Sequence, residues 1–90
     1  MDRSVVTRQG RQVRLTPSEY ELLTCFLMNA GRDLSRDMIL ESVWSYLPSP
    51  STRTVDSHVL RLRRKLEPNP SVPKHFVTLH NVGYRFCPDI

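Results

Sequence analysis

The segment 53–66 constrains the fold more than any other part of this 90-residue chain. Its apolar residues recur at spacings of 4, 3 and 4. On a helix these spacings place Val55, Val59, Leu62 and Leu66 within about 60° of one another. A stripe this narrow predicts an amphipathic helix that docks on a core, so the chain must supply further elements to cover it.

The same segment carries the net charge of the chain. Five basic residues and one acid give it +4, which equals the formal net charge of all 90 residues. Opposite the apolar stripe lie Arg53, Ser57, Leu60, Arg61 and Arg64, with Thr54 at the edge, and the stripe is flanked by Arg63, His58 and Lys65. Such a face fits the major groove of DNA, where arginine pairs with guanine and flanking cations meet phosphates. The alternative is a solvated surface helix with no partner.

The bulk properties indicate one small domain over residues 1–90. A hydrophobic content of 39% is ordinary for a soluble globule. The pI of 9.6 with a moderate net charge indicates a polyanionic partner that binds a local patch. The sequence has no apolar run of about 18 residues and no signal-like start. We therefore expect a cytoplasmic protein without a membrane partner.

The chemistry-bearing residues do not predict an enzyme. Cys25 and Cys87 are too few and too far apart for a disulfide framework, which indicates a reduced compartment. Neither these cysteines nor His58, His75 and His80 have the spacing of a zinc site. The sequence contains no catalytic triad, no carboxylate pair and no phosphate-cradling glycine loop. We expect no metal, no cofactor and no catalysis.

The first half of the chain predicts two strands and two helices. Strands over 4–9 and 11–15 turn at Gly10, with Val5, Val13 and Leu15 as their apolar members. A first helix starts at Thr16, Pro17 and Glu19, which form a capping box with proline at N1, and it runs to about Asn29 and stops at Gly31. Its apolar positions are Leu22, Leu23, Phe26 and Leu27, with Cys25 and Met28 expected in or near the core.

A second helix is predicted after Ser35, which serves as its N-cap, with a hydrophobic staple between Leu34 and Ile39. Its buried face consists of Ile39, Leu40 and Val43, and the helix ends near Trp44.

The second half predicts a loop, the basic helix and a hairpin. The stretch 45–52 contains Pro48, Pro50 and three serines and cannot continue a helix. The basic helix follows and ends before Pro68. Residues 76–79 and 84–86 then alternate around a turn at 81–83. Strand pair, three helices and terminal hairpin together predict an α+β winged helix-turn-helix fold.

Four blocks of residues between about Val13 and Phe86 occur in an order that points to one family. The blocks are Leu15-Thr16-Pro17 with Glu19-Tyr20 and Leu22-Leu23; Gly31 with Leu34-Ser35-Arg36 and Val43-Trp44; Arg53-Thr54-Val55-Asp56 with His58, Arg61-Leu62-Arg63-Arg64 and Leu66; and Thr78 with Gly83-Tyr84-Arg85-Phe86. Together they resemble the effector domain of OmpR/PhoB-type response regulators. The resemblance implies a bacterial two-component transcriptional regulator that binds double-stranded DNA sequence-specifically, with helix 53–66 in the major groove and wing 76–86 at the minor groove.

The resemblance also implies partners. The domain alone is expected to be a monomer that binds direct-repeat promoter half-sites as a head-to-tail dimer. The full-length system is expected to include a receiver domain before Met1 and a sensor histidine kinase. Loop 45–52 corresponds to the segment that contacts RNA polymerase in activators.

Site residues are carried over position by position. Ser57 and Arg61 correspond to base contacts. Positions that meet phosphates or the groove rim correspond to Arg53, Thr54, His58, Arg63 and Arg64. The DNA backbone is contacted at the positions of Trp44 and Thr78, and the wing includes Tyr84 and His80.

The chain departs from the family pattern in four places. One is loop 45–52, which carries two prolines and no acid, unlike many relatives. His80-Asn81 replaces the usual Arg-Gly of the wing, which predicts a weaker or pH-dependent minor-groove contact, although Asn81 still permits a left-handed turn. Leu60 often has a basic counterpart and either meets a thymine methyl or is an ordinary exposed leucine. The family domain commonly begins with four strands, whereas fifteen residues here leave room for about two, so this sheet is either trimmed or short.

Several of these residues have a structural alternative. Trp44 and Tyr84 are expected chiefly to pack, and Asp56 in the first turn of the basic helix is explained by the helix dipole. His58 is either a satisfied structural histidine or a rim contact. For the whole domain, the alternative function is a winged-helix interaction module that binds an acidic protein or RNA polymerase through loop 45–52.

Overall fold

Three helices and five short strands make up residues 5–8 and 10–88, the part of the chain that the computed structural model describes. The elements in chain order are β1 (Val5–Arg8), β2 (Arg11–Arg14), α1 (Pro17–Met28), β3 (Asp33–Ser35), α2 (Arg36–Trp44), α3 (Thr52–Leu66), β4 (Phe76–Leu79) and β5 (Gly83–Phe86). The predicted α+β order is confirmed. None of the described helices is long and apolar enough to cross a membrane.

The strands form two antiparallel sheets. β1 pairs with β2 around Gly10, which has a φ of 79°, so the predicted strand pair is confirmed, although the predicted ends at positions 4 and 9 lie outside the described residues. β4 and β5 form the predicted hairpin, and β3 adds a third strand on the other side of β5. The sequence did not predict β3, because three residues between two helices are too few to show strand alternation.

Local hydrogen bonds cap the start of each helix, and two of the three caps are those that the sequence predicted. In α1, the Thr16 amide donates to Glu19 Oε1 (2.9 Å) and the Glu19 amide donates to Thr16 Oγ1 (3.2 Å), which confirms the capping box. In α2, the Met38 amide donates to Ser35 Oγ at 3.0 Å. α3 is capped by Ser51 and begins at Thr52, one residue earlier than predicted. All three helices end within one residue of the predicted positions.

The core lies where the helices meet the three-stranded sheet. The stripe of α3 is buried as predicted, with Val55, Val59 and Leu62 at 0% exposure, and Leu66 is partly buried. The ring of Phe26 in α1 lies 5.5 Å from that of Phe76 in β4, measured between centroids, and packs edge-on. α1 is thus joined directly to the wing.

Two residues expected in or near the core are exposed. Leu27 and Met28 are 54% and 80% exposed, whereas Cys25 is buried as predicted. The buried arc of α1 runs from Cys25 through Phe26 to Leu23. At 100° per residue, Leu27 and Met28 lie roughly 40° and 60° beyond its two edges. The apolar residues of this helix cover more of its circumference than the core does.

Candidate nucleic-acid interface

The outward face of α3 is exposed over its whole length. Arg53, Ser57, Leu60, Arg61 and Arg64 are all exposed, as the helical spacing predicted. Thr54 and His58 lie beside this face and are partly buried. Three guanidinium groups therefore extend from one side of a helix whose other side is fixed in the core.

Lys65, the last cation of α3, instead makes a contact inside the protein. Its Nζ donates to Glu19 Oε1 at 2.6 Å and to the carbonyl oxygen of Arg14 at 3.0 Å. Burial raises the pKa of Glu19, but hydrogen bonds from Lys65 and from the Thr16 amide outweigh it, so the pKa is lowered overall. Lys65 thus neutralises a buried carboxylate and joins α3 to the start of α1.

Arg63 joins α3 to the wing. Its Nε and Nη2 donate to the carbonyl oxygen of Phe76 (2.9 and 2.6 Å), and Nη2 also donates to Thr78 Oγ1 at 2.7 Å. Its guanidinium lies 5.8 Å from the ring centroid of Tyr84. Arg63 Nη1 takes no part in these hydrogen bonds. Thr78 accepts through its oxygen, so its hydroxyl hydrogen is still available for donation. Phosphate contacts by Arg63 and Thr78 stay predictions.

Asp56 joins α2, α3 and β5. Its Oδ1 accepts a hydrogen bond from Arg36 Nε at 2.8 Å and another from the Tyr84 hydroxyl at 2.5 Å. The Arg36 guanidinium also lies 5.1 Å from the centroid of the Tyr84 ring. The helix-dipole explanation of Asp56 is wrong, because α3 begins at Thr52 and its first turn contains no acid.

The surroundings of Tyr84 and Arg36 raise the pKa of both groups. Burial, followed by the hydrogen bond to Asp56, raises the pKa of Tyr84 to about 12. The hydrogen bond to Asp56 is also the largest cause that raises the pKa of Arg36. At neutral pH the phenol therefore stays a donor, and Asp56 accepts from two elements that do not belong to its own helix.

Changing Tyr84 to phenylalanine is expected to lower the free energy of unfolding by about 1 kcal/mol. A hydrogen bond to a charged acceptor is worth more when fully buried, but the side chain of Asp56 is 46% exposed and solvent reduces the effect. Chemical denaturation measures the loss. Tyr46→Phe is the matched control, because Tyr46 is 69% exposed. Equal stability of the two variants would contradict a stabilising role for the Tyr84 hydroxyl.

Trp44 and His58 pack against each other. Trp44 is 2% exposed, so the packing role favoured by the sequence is confirmed. The two rings lie 4.9 Å apart, edge to face. His58 Nδ1 lies 2.8 Å from the carbonyl oxygen of Thr54, which only accepts, so Nδ1 carries a hydrogen. His58 thus has a satisfied structural role, and Nε2 is the ring nitrogen left for any contact at the groove rim.

The wing has an exposed tip. His80, Asn81 and Val82 are exposed, and the Val82 amide closes the turn by donating to the Leu79 carbonyl oxygen at 3.0 Å. Asn81 has a φ of 66°, which confirms the predicted left-handed conformation. The side chain at position 80 is therefore presented to solvent at the end of a closed turn.

Glu67 is a buried carboxylate that the sequence pattern did not reveal. It is 2% exposed and accepts from three backbone amides: Lys74 (3.0 Å), His75 (2.8 Å) and Phe76 (2.7 Å). Burial raises its pKa, the three amides lower it, and the net direction is down. Glu67 fixes the end of α3 to the start of β4. Its only sequence signal is a glutamate just before Pro68, which is equally typical of a solvated helix end.

The described part of the chain offers no cluster of metal ligands beside this surface. Among residues 5–8 and 10–88, no three His, Cys, Asp or Glu side chains gather closely enough to hold an ion. A cleft of about 140 Å³ lies between the end of α3 and the wing, lined by Leu23, Leu66, His75, Phe76, Phe86 and Pro88. Its lining is mainly apolar and lacks a convergent set of polar groups.

The helix pair α2 and α3, followed by a hairpin, defines a winged helix-turn-helix domain with a basic recognition helix. Residues 10–86 match the family model described as "Transcriptional regulatory protein, C terminal". The chain therefore belongs to this family of effector domains of OmpR/PhoB type.

Relatives agree with this assignment. The chain is 43% identical over 83 residues to the DNA-binding response regulator MtrA of Mycolicibacterium smegmatis, covering 92% of this chain and 36% of MtrA. It superposes with a TM-score of 0.78 on response regulator DrrB, an OmpR/PhoB homolog of Thermotoga maritima, at 34% identity, covering 88% of this chain and 36% of DrrB. It superposes with a TM-score of 0.73 on the RstA DNA-binding domain of Klebsiella pneumoniae in complex with the RstA box, at 29% identity, covering 91% and 82%. The chain spans about a third of the length of the curated relatives it matches.

Proposed function

We propose that this domain binds double-stranded DNA sequence-specifically, with α3 in the major groove and the wing over the minor groove. The observation that carries the proposal is the exposed row of Arg53, Arg61 and Arg64 on a helix whose opposite face is buried. The other two cations of α3, Arg63 and Lys65, form hydrogen bonds within the protein. The cations of α3 that point to solvent therefore lie on one face of the helix. A single positive helical face is the expected footprint of groove binding.

The relatives support the same function. RstA, which shares this fold, was solved on its own DNA box, and MtrA is named a DNA-binding response regulator. We therefore propose that the chain is the DNA-binding part of a response regulator. We also propose that the full-length protein includes a receiver domain and acts with a sensor kinase. In the same proposal, two copies pair head-to-tail on direct repeats and the protein is cytoplasmic.

The described surface supports different proposed contacts for different site residues. Arg61 and Ser57 are exposed on the outward side of α3 and are proposed to contact bases. We assign contacts with phosphates and the groove rim to Arg53, Thr54, His58 and Arg64. Arg63 and Thr78 lie on the wing side and are proposed to contact the DNA backbone there. Trp44 and Tyr84 are buried and act by positioning the elements around them, and His80 is the side chain that reaches towards the minor groove.

Loop 45–52 supplies a further candidate contact. Tyr46 is 69% exposed there, and most of the loop lies in solvent between α2 and α3. We propose this loop as the surface for RNA polymerase. The same loop would carry recognition if the domain bound an acidic protein instead of DNA.

Arg61→Ala is expected to weaken binding to a selected duplex by about 5- to 150-fold, or roughly 1–3 kcal/mol, and to change binding to random duplex little. A guanidinium that reads a base edge discriminates between sequences, whereas one that meets phosphate does not. Titration of both duplexes at two salt concentrations measures the difference. Arg32→Ala is the control, since Arg32 is exposed in the loop between α1 and β3.

Two results would contradict this prediction in different ways. Equal losses on both duplexes would make Arg61 a phosphate contact. Absence of any duplex binding by the wild-type domain at about 0.1 M salt would favour the protein-interaction function of loop 45–52.

A further inference from the structure

An exposed leucine lies in the middle of the basic face of α3. Leu60 is 45% exposed. It belongs to the row Arg53, Ser57, Leu60 and Arg64, whose spacings of 4, 3 and 4 repeat those of the buried stripe on the opposite side. All four side chains are exposed. Leu60 is therefore the one apolar member of a face that is otherwise cationic or hydroxylated.

The neighbours of Leu60 restrict what can cover it. An apolar protein surface that buried Leu60 would also remove Arg61 and Arg64 from water without giving them charged partners, which is costly. A polyanion that carries an apolar group avoids this cost. The major groove provides both, because phosphates line its rim and the C5 methyl group of thymine projects into it.

We propose that Leu60 is a specificity-determining residue that contacts a thymine methyl group in each half-site. The inference rests on the proposed function, since it requires α3 to lie in the major groove. Leu60 and Arg61 are consecutive residues, about 1.5 Å apart along the helix axis, whereas base pairs are stacked about 3.4 Å apart. Because the two side chains also differ by 100° around the helix axis, the thymine is expected within a few base pairs of the one that Arg61 contacts.

The test uses a duplex selected on the wild-type domain from random sequence. Each thymine is replaced in turn by deoxyuridine, which removes only the methyl group, and the Kd is measured for each duplex. For the wild type, one replacement per half-site is expected to weaken binding about fourfold, the effect of one buried methyl-sized group. For Leu60→Ala, this replacement is expected to have no effect, because the contact is already absent.

The control and the contradicting outcomes are specific to Leu60. Leu27→Ala removes a leucine of similar exposure on α1 and is expected to keep the wild-type response to deoxyuridine. An unchanged response in Leu60→Ala, or a wild type that responds at no thymine, would overturn the proposal while leaving DNA binding intact. Failure to select any duplex would overturn the proposed function itself. Thermal unfolding of Leu60→Ala checks that the substitution of this exposed side chain leaves the fold unchanged.

Discussion

Replacing Gly83 with alanine is expected to remove most of the stability of the domain, roughly 3–5 kcal/mol. A Cβ atom at this position would lie 2.1 Å from the backbone oxygen of Leu34, 3.0 Å from Ser35 Cα and 3.1 Å from the Arg36 amide nitrogen. All three atoms belong to the backbone, so no side chain can rotate away. β3 would have to leave β5 and move the start of α2 with it. Thermal unfolding should show a fall in Tm of roughly 15–30 °C, or no cooperative transition at all.

Gly31→Ala is the matched control for this prediction. Gly31 has a φ of 82°, but no atom lies within 4 Å of the place where a Cβ atom would stand, so it tests the cost of a positive φ without an overlap. That cost is expected to be about 1–2 kcal/mol. If Gly83→Ala were no worse than Gly31→Ala, the close approach of β5 to β3 would not be a determinant of stability.

Glu67→Gln is expected to destabilise the domain by about 2–4 kcal/mol. The carboxylate accepts from Lys74 through Oε1 and from His75 and Phe76 through Oε2. A glutamine can keep one of these oxygens but must turn an amide nitrogen towards the remaining donors. At least one of the three backbone N–H groups then loses its acceptor, and the remaining hydrogen bonds lose the negative charge of the acceptor. Denaturant unfolding at pH 7 measures the difference.

The same residue predicts a dependence on pH. The pKa of Glu67 in the folded protein lies below its ordinary value of 4.5. The stabilisation of the folded protein by ionised Glu67 is therefore complete above pH 4.5 and is lost as the pH falls through the pKa of Glu67 in the folded state. The difference in the free energy of unfolding between wild type and Glu67→Gln should narrow over this acid range. The pKa of Glu19 is lowered as well, but Glu19 is present in both proteins and does not change this difference.

Glu21→Gln provides the control for Glu67. Glu21 is exposed on α1, and its substitution is expected to change stability by no more than about 0.5 kcal/mol. A gap between wild type and Glu67→Gln that stayed constant down to about pH 3 would contradict the account of Glu67 as an ionised acceptor of backbone hydrogen bonds.

Much of the fold could be predicted because its signals are local. The capping box at Thr16 and Glu19 and the N-cap at Ser35 use bonds between residues three apart. The two faces of α3 follow from helical periodicity alone. By contrast, the sequence overestimated the buried face of α1 at Leu27 and Met28, because periodicity gives the direction of an apolar face but not its width.

The candidate site was predicted less completely. The exposure of Arg53, Arg61 and Arg64 was expected, but the inner contacts of Arg63 and Lys65 were not. Helical spacing places Arg63 and Lys65 beside the apolar stripe but does not show what they contact. Which of them lie near a buried carboxylate or a backbone carbonyl depends on other elements of the fold.

The sequence by itself determined the extent of the three helices, the hairpin and the position of the basic face, because each depends on spacing within one segment. The tertiary structure alone decided β3, the burial of Glu67 and the role of Asp56. The pairs that decide such contacts are far apart in the chain: Lys65 and Glu19 are 46 residues apart, and Tyr84 and Asp56 are 28 apart. A hydrogen bond of that kind has no period and no local signal. It exists only once packing has brought its two partners together.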